Sequence, residues 1–276
     1  MKRKSTLEKV IIAVLTILVF IFFMMPLYWL LITSLKFGRD AFTLPPQWLI
    51  FTPTLRNYQV ELENTKSLMF IKNSLIITTG ATLLSLALGV PAGYAIARSR
   101  LRLLNASSFF FLILLMVPPV ATLIPFYLIM SSTHLLGSYW GLIALDTAFD
   151  ASFVVWMMRS YFKDVPQEME EAALVDGASR FAAFRLVALP LSVPGIISSA
   201  LYCIIYSWND FLFALMLTSP KTKTIPLGIL ASFSAVDVSW GRMTALSVFA
   251  IIPAVIISIF LNRYFVQGLT MGATKG

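Results

Sequence analysis

The sequence predicts an all-α, polytopic membrane protein with six transmembrane helices. Three observations carry that expectation: 58% of the 276 residues are hydrophobic, only 12% are charged, and the mean hydropathy is +0.84. A water-soluble domain could not cover so much apolar surface with so few ionisable side chains. The formal charge of +8 is therefore read first as membrane sidedness, and no nucleic-acid partner is expected.

A helix needs about 20 mostly apolar residues to cross the hydrocarbon core. Spans fall at about residues 10–35, 73–97, 107–130, 138–158, 188–217 and 243–265. The first follows Lys2, Arg3, Lys4 and Lys9, and its 26 uncharged residues exceed a signal-peptide core. With no small-x-small site after it, it reads as an uncleaved anchor. Residues 36–72, with Pro45, Pro46 and Pro53, read as an irregular extracytoplasmic connection containing short helices at most. Pro26, Gly89, Pro91, Gly93, Pro118, Pro119 and Pro125 lie inside spans and predict kinks and close helix contacts. The chain reads as one domain, residues 1–276.

With the amino terminus inside, thirteen Lys and Arg fall on the cytoplasmic side and eight outside. The acid-free segment Arg98, Arg100, Arg102 is the clearest element of that bias, and both termini are expected in the cytoplasm. One cysteine, Cys203, and one histidine, His134, exclude an intrachain disulfide and make a His/Cys metal cage implausible. No catalytic residue and no metal site is expected.

The cytoplasmic stretch 161–190, YFKDVPQEMEEAALVDGASRFAAFRLVALP, is polar and helix-prone. Asp164 can cap a helix with Pro166 in its first turn and Gln167 at the third position, while Glu168, Glu170 and Glu171 lie near the positive end of the dipole. Gly177 suits the left-handed end, and Ser179 can cap a second short helix leading to Leu189 and Pro190. Ala172, Ala173, Leu174 and Ala178 form a small apolar face suited to a partner's groove. An interfacial amphipathic helix is the plainer reading, but such helices favour Lys, Arg and bulky apolar residues. A metal site on the three glutamates lacks a second ligand cluster.

Glu171-Ala172-Ala173, three residues, Gly177, nine residues, Val187, one residue, Leu189-Pro190 resembles the EAA motif of ABC importer permeases, Val187 replacing the commoner isoleucine. The resemblance implies a coupling helix within residues 164–186 that docks on a cytoplasmic ATPase, with Glu171, Ala172, Ala173, Gly177, Leu189 and Pro190 in that role. Pro26-Leu27-Tyr28, residues 53–58, Ser207-Trp208-Asn209-Asp210 and residues 268–276 extend the similarity to the second permease subunit of carbohydrate ABC importers of the maltose type.

Asp146 and Asp150, four residues apart, share a helix face. They either line a translocation path or cap helix fragments with Thr147 or Ser152. Trp208, Asn209 and Asp210 either hold a sugar or keep a helix break. Residues 218–241, with Pro226, Phe233 and Trp240, resemble the family's contact to an extracytoplasmic solute-binding protein, or fold on the subunit's own lip.

No G-x-x-x-x-G-K-[ST] loop is present, so ATP must be hydrolysed elsewhere. The expected function is the permease of an ATP-driven, binding-protein-dependent ABC importer for a carbohydrate, a di- or oligosaccharide, in a bacterial or archaeal cytoplasmic (inner) membrane. It carries no cofactor; ATP and Mg belong to the partner ATPase. The resemblance implies a second permease in a pseudo-symmetric heterodimer, two ABC ATPase subunits, a solute-binding protein and surrounding membrane lipid. The rivals are a polytopic intramembrane enzyme, for which Asp146, Asp150 and Asp210 would have to suffice, and a non-transporting scaffold. A reporter active only outside the membrane is expected to be silent when fused at Asn105 or Ser179 and active at Thr222; the inverse pattern refutes the span order.

Overall fold

The structure, a computed structural model, describes residues 6–233 and 239–270, and its regular elements are helical. In chain order these are α1 (Thr6–Ser34), a 3-10 turn (Gly38–Phe42), α2 (Arg56–Glu63), α3 (Thr65–Arg98), α4 (Arg102–Met116), α5 (Pro119–Ser132) and α6 (Tyr139–Asp164). There follow α7 (Gln167–Val175), α8 (Arg180–Ala183), a π turn (Phe184–Ala188), α9 (Leu189–Leu191), α10 (Val193–Trp208), α11 (Leu212–Leu217), α12 (Ile225–Ala231) and α13 (Trp240–Thr270). α1, α3, α6 and α13 are long and apolar enough to cross a membrane alone. Two bent pairs, each counted as one broken span, would bring the number to six.

Those bends change the expected third and fifth spans. The third breaks between α4 and α5 at 95°. Val117 and Pro118 are both extended, ψ 121° and 127°, because a residue preceding proline is driven out of the helical region and two successive prolines remove two donors. Pro119 then opens α5 in the first turn, where its missing N–H costs nothing. The fifth bends by 74° at Ser192, between Pro190 and Pro194, and stops at Asn209 before the separate α11. Pro26, Pro91 and Pro125 stay inside continuous helices.

The chain divides into two compact units, Met1–Leu68 with Gly228–Ile252 and Met69–Leu227 with Pro253–Gly276. In the first, the apolar window of α1 has no buried share, the pattern of a helix that faces lipid or another chain. Polar contacts gather after its end. Asn57 Nδ2 donates to the carbonyls of Ser34 and Lys36, both at 2.8 Å, and a side chain at Gly241 would strike that amide at 2.5 Å. Buried Glu61 accepts from Arg242 Nε at 2.7 Å and from the Ser67 hydroxyl. Lys36 is only 1% exposed, with its ammonium 4.6 Å from the Trp29 ring centroid and 5.1 Å from that of Phe51. Burial pushes its pKa down while the Asp40 charge pulls it back. The connection 36–72 is thus an anchored segment.

The second unit is organised around α6, whose apolar window is 61% buried against 39% for α3. Along α3, Ala81, Ser85, Gly89, Gly93 and Ala97 recur every four residues and are all buried. A Cβ at Gly89 would lie 2.6 Å from Val154 Cβ, and one at Gly93 would lie 2.9 Å from Met158 Cβ and 3.1 Å from the Val155 carbonyl. This is the small-residue seam by which apolar helices gain van der Waals contact without hydrophobic drive. On another side, Gly195 of α10 lies flat against the Tyr161 ring, where a Cβ would come within 2.5 Å. The break between α4 and α5 leaves an apolar void of about 170 Å³ against α6, lined by Val117, Phe126, Phe149 and Ser152.

Gly89→Leu is expected to destabilise the protein by about 1–3 kcal/mol, because Val154 and the α6 backbone must retreat. Thermal unfolding in detergent measures it, with exposed Leu88→Val as the variant expected to unfold like wild type.

Candidate functional site

The EAA segment folds as helix, glycine corner, helix. α7 ends in a paired 6→1 and 5→2 closure: the Ala178 N–H donates to the Ala173 carbonyl at 3.0 Å and the Gly177 N–H to the Leu174 carbonyl at 3.1 Å. That geometry needs a left-handed residue, and Gly177 sits at φ +89°. Ser179 then caps α8, its hydroxyl accepting from the Ala182 N–H at 3.2 Å. The start of α7 corrects the sequence reading. Asp164 is the last residue of α6, and Pro166, extended, is the cap of α7 without any side-chain bond. The cause is again a residue before proline: nothing breaks α6 until Val165, which Pro166 forces to ψ 120°.

The three glutamates separate. Glu168 and Glu171 are exposed, whereas Glu170 is 6% exposed. One Glu170 oxygen accepts from Arg98 Nε at 2.9 Å and Nη2 at 2.5 Å, the other from the Tyr94 hydroxyl at 2.6 Å. Arg98 Nη2 also donates to the Val165 carbonyl at 3.0 Å, so one guanidinium holds both the α6–α7 junction and the fourth residue of α7. Tyr94 lies edge-on to Phe162 at 5.3 Å and against Phe184 at 4.6 Å, so α3, α6 and the π turn meet at one ring. A polar cleft of about 580 Å³ opens beside the pair, lined by Tyr94, Arg100, Glu171, Leu174 and Arg180 among others. Glu171 and Ala172 face outward; Ala173 and Ala178 are half-buried. The apolar projection is larger than the predicted alanine face, because Val175 is 88% and Phe181 69% exposed. Leu189, half-buried, and Pro190, exposed, lie in α9 beyond the π turn.

Asp146 and Asp150 share a face of the continuous helix α6 and have no exposed surface. They cap no fragment, since α6 begins at Tyr139 with Ser138 as its cap. Asp146 accepts from the Ser207 hydroxyl at 2.6 Å, and neither Asp150 oxygen has a hydrogen-bond partner among the described residues. Trp208 is buried, and the Asn209 amide turns back to the Ile205 carbonyl at 2.7 Å. Asp210 accepts from the Phe213 and Ala214 amides at 3.2 and 2.9 Å, supplying the start of α11. Half-buried aromatic rings, which the sequence reading passed over, line the neighbouring surface: Phe153 stacks on Tyr202 at 3.6 Å, and Tyr202 on Tyr206 at 6.0 Å.

The front half of the 218–241 loop is anchored. Thr222 Oγ1 donates to the Gly137 carbonyl at 3.0 Å, Asn73 Nδ2 to the carbonyls of Lys221 and Lys223 at 3.0 and 2.8 Å, and the Ile225 N–H to Ser74 Oγ at 2.9 Å. Pro226 sits half-buried in the first turn of α12. Phe233 is exposed, edge-on to Trp240 at 6.0 Å. Residues 234–238 of this loop and 271–276 of the tail lie outside the described residues.

Residues 89–271 match the profile described as "Binding-protein-dependent transport system inner membrane component". The trehalose/maltose transport system permease protein MalG of Thermococcus litoralis is 32% identical over 280 residues, covering 99% of both chains. Among solved structures, a bacterial ABC transporter involved in the import of the acidic polysaccharide alginate aligns with TM-score 0.79 and 22% identity, over 96% of this chain and 100% of that one. The bacterial alginate transporter in complex with an alginate pentasaccharide-bound periplasmic protein aligns with TM-score 0.70 and 17% identity, over 98% and 95%.

Gly177→Val is expected to cost about 1–2 kcal/mol at the corner, because a β-branched residue resists φ near +90°. Hydrogen exchange at the Ala178 amide should then quicken about fivefold or more, while exchange in α3 and α6 stays unchanged.

Proposed function

The chain belongs to the family of binding-protein-dependent transport system inner membrane components, and from that premise we propose that its α7–α8 corner is the element through which a separate ATPase drives it. It is a multi-pass inner-membrane permease subunit of an ABC importer for a carbohydrate. The observation that carries the coupling role is the exposed, doubly closed α7: Glu171 and Val175 project outward while Glu170 fastens the same helix inward. A short helix fixed at its base and apolar at its tip fits a partner's groove.

In this reading two ABC ATPase subunits bind ATP and Mg, and their closure pushes α7. A second permease supplies the other half of the path in a pseudo-symmetric heterodimer, and a solute-binding protein delivers the sugar from outside. Both termini lie in the cytoplasm. Substrate crosses by alternating access, and the Phe153, Tyr202 and Tyr206 rings offer flat faces for the C–H surface of a sugar. Asp146 and Asp150 lie beneath that surface, and exposed Phe233, edge-on to Trp240, is one apolar contact that the outer loop offers to the binding protein. Relatives named for trehalose and maltose, and for alginate, share this fold, so the choice of sugar rests on features other than the fold.

The test is reconstitution with the neighbouring ATPase, permease and binding protein in vesicles. ATP hydrolysis stimulated by the sugar-loaded binding protein, with sugar uptake, supports the reading. Action of the isolated chain on a lipid or peptide supports the enzyme alternative, and neither activity supports a scaffold. Glu171→Lys reverses a charge favourable near the start of α7. Uptake is expected to fall about tenfold or more at wild-type membrane abundance, with ATPase co-purification weakened. Unchanged uptake and unchanged co-purification would remove Glu171 from the docking surface.

A further inference from the structure

The segment that carries α7 and α8 joins α6 to α10 in sequence, so covalent connectivity alone would pass any push on α7 to those two helices. The structure adds a third route. Arg98, the last residue of α3, pairs with Glu170 inside α7, and the partners are 15% and 8% exposed at their side chains. Both Glu170 oxygens are used, one by Arg98 and one by Tyr94, which is itself on α3 one turn before Arg98. Every polar tether on Glu170 thus comes from α3. The same guanidinium holds the Val165 carbonyl, which fixes the one non-helical joint between α6 and α7.

We propose that the Arg98–Glu170 pair is a latch that makes α3 and the coupling helix move as one body. Glu170 and Arg98 are positioning residues: they bind neither sugar nor nucleotide and act by aiming Glu171 and the apolar tip of α7. A shielded pair with both carboxylate oxygens satisfied is directional, and an isolated member of it is strongly unfavourable. Pulling α7 away from α3 therefore strands a charge at each end, whereas moving them together leaves the contact intact. Close contact of Gly89 and Gly93 with α6 keeps α3 packed to within five residues of the latch, so a displacement of α7 is delivered to a span that α7 does not adjoin in sequence.

This inference rests on the importer reading, and the experiment separates the two. In the reconstituted complex, Arg98→Glu and Glu170→Arg are each expected to lower uptake about tenfold or more and to leave ATP hydrolysis unresponsive to the loaded binding protein, at normal assembly. The double variant R98E/E170R is expected to raise both at least about threefold above either single variant, because the ion pair is re-formed with its charges exchanged although the bond to the Val165 carbonyl is not. A second measurement uses cysteines at positions 98 and 170 in a Cys203→Ala background, joined by a short thiol crosslinker. The unjoined cysteine pair lacks both charges and is expected to transport as poorly as the single variants, and joining the two positions is expected to raise uptake toward wild type. Single variants with wild-type coupling, or a cysteine pair whose uptake is wild-type when unjoined or is not raised by joining, overturn the latch. A wild-type complex without sugar-stimulated hydrolysis overturns the importer reading itself, whatever the variants do.

Discussion

The close approach of α3 to α6 is the constraint on which the second unit depends. In lipid, helices gain little from burying apolar area against one another, so their association relies on backbone-close packing and interhelical polar contacts. Removing Cβ at Gly89 and Gly93 brings α3 onto Val154 and Met158, and Gly195 does the same for α10 on Tyr161. Because Gly93 is only five residues before Arg98, the seam also decides where the guanidinium ends up. A wider spacing would carry Arg98 out of reach of Glu170 and open the joint at Val165.

Helix breaks at membrane depth carry a second demand, since freed amides and carbonyls have no water to turn to. The structure meets it differently at each break. Pro118 and Pro119 remove two donors outright. At Asn209 the chain turns with an amide back-bonded to Ile205, and Asp210 gives one oxygen to each of two freed amides of α11. A carboxylate there is the acceptor that a helix start requires, which accounts for Asp210 without a ligand. Asn73 does similar service in α3: it accepts from the Tyr139 hydroxyl at 2.7 Å and donates to two loop carbonyls, so α3, α6 and the 218–227 segment share one amide.

Much of this was legible because the signals are local and chemical. Gly177 and Ser179 dictate a corner whatever surrounds them, and the charge-free runs place the spans. A capping pattern points to Asp164, but Pro166 constrains Val165 more strongly than an aspartate attracts a helix start. Hydropathy averages over Pro118-Pro119 and so shows the third span as one rod. The position of Glu170 near the start of α7 shows only a dipole-favouring acid like its neighbours. The sequence signal that separates it lies elsewhere, in the acid-free Arg98–Arg102 segment, whose cations have no neighbouring acid; its own spacing does not help, since Leu174, four residues on, is 40% exposed. Asn73, by contrast, is partnered through residues about 150 positions away, which no local pattern reveals.

The proposed coupling segment is built as a short helix must be if it is to serve as a mechanical part. A nine-residue helix in isolation would be mostly unfolded, since nucleation is costly and few hydrogen bonds repay it. α7 is kept folded at three places: the extended joint Val165–Pro166 held by Arg98, the carboxylate of Glu170 in mid-helix, and the glycine closure leading into the Ser179 cap. None of these uses Glu171, Ala172 or Val175, so the surface presented outward bears no share of holding the helix together. A docking face can then be pressed or pulled without unfolding its support, which is the physical condition for a small element to transmit force between a soluble motor and a membrane-embedded helix.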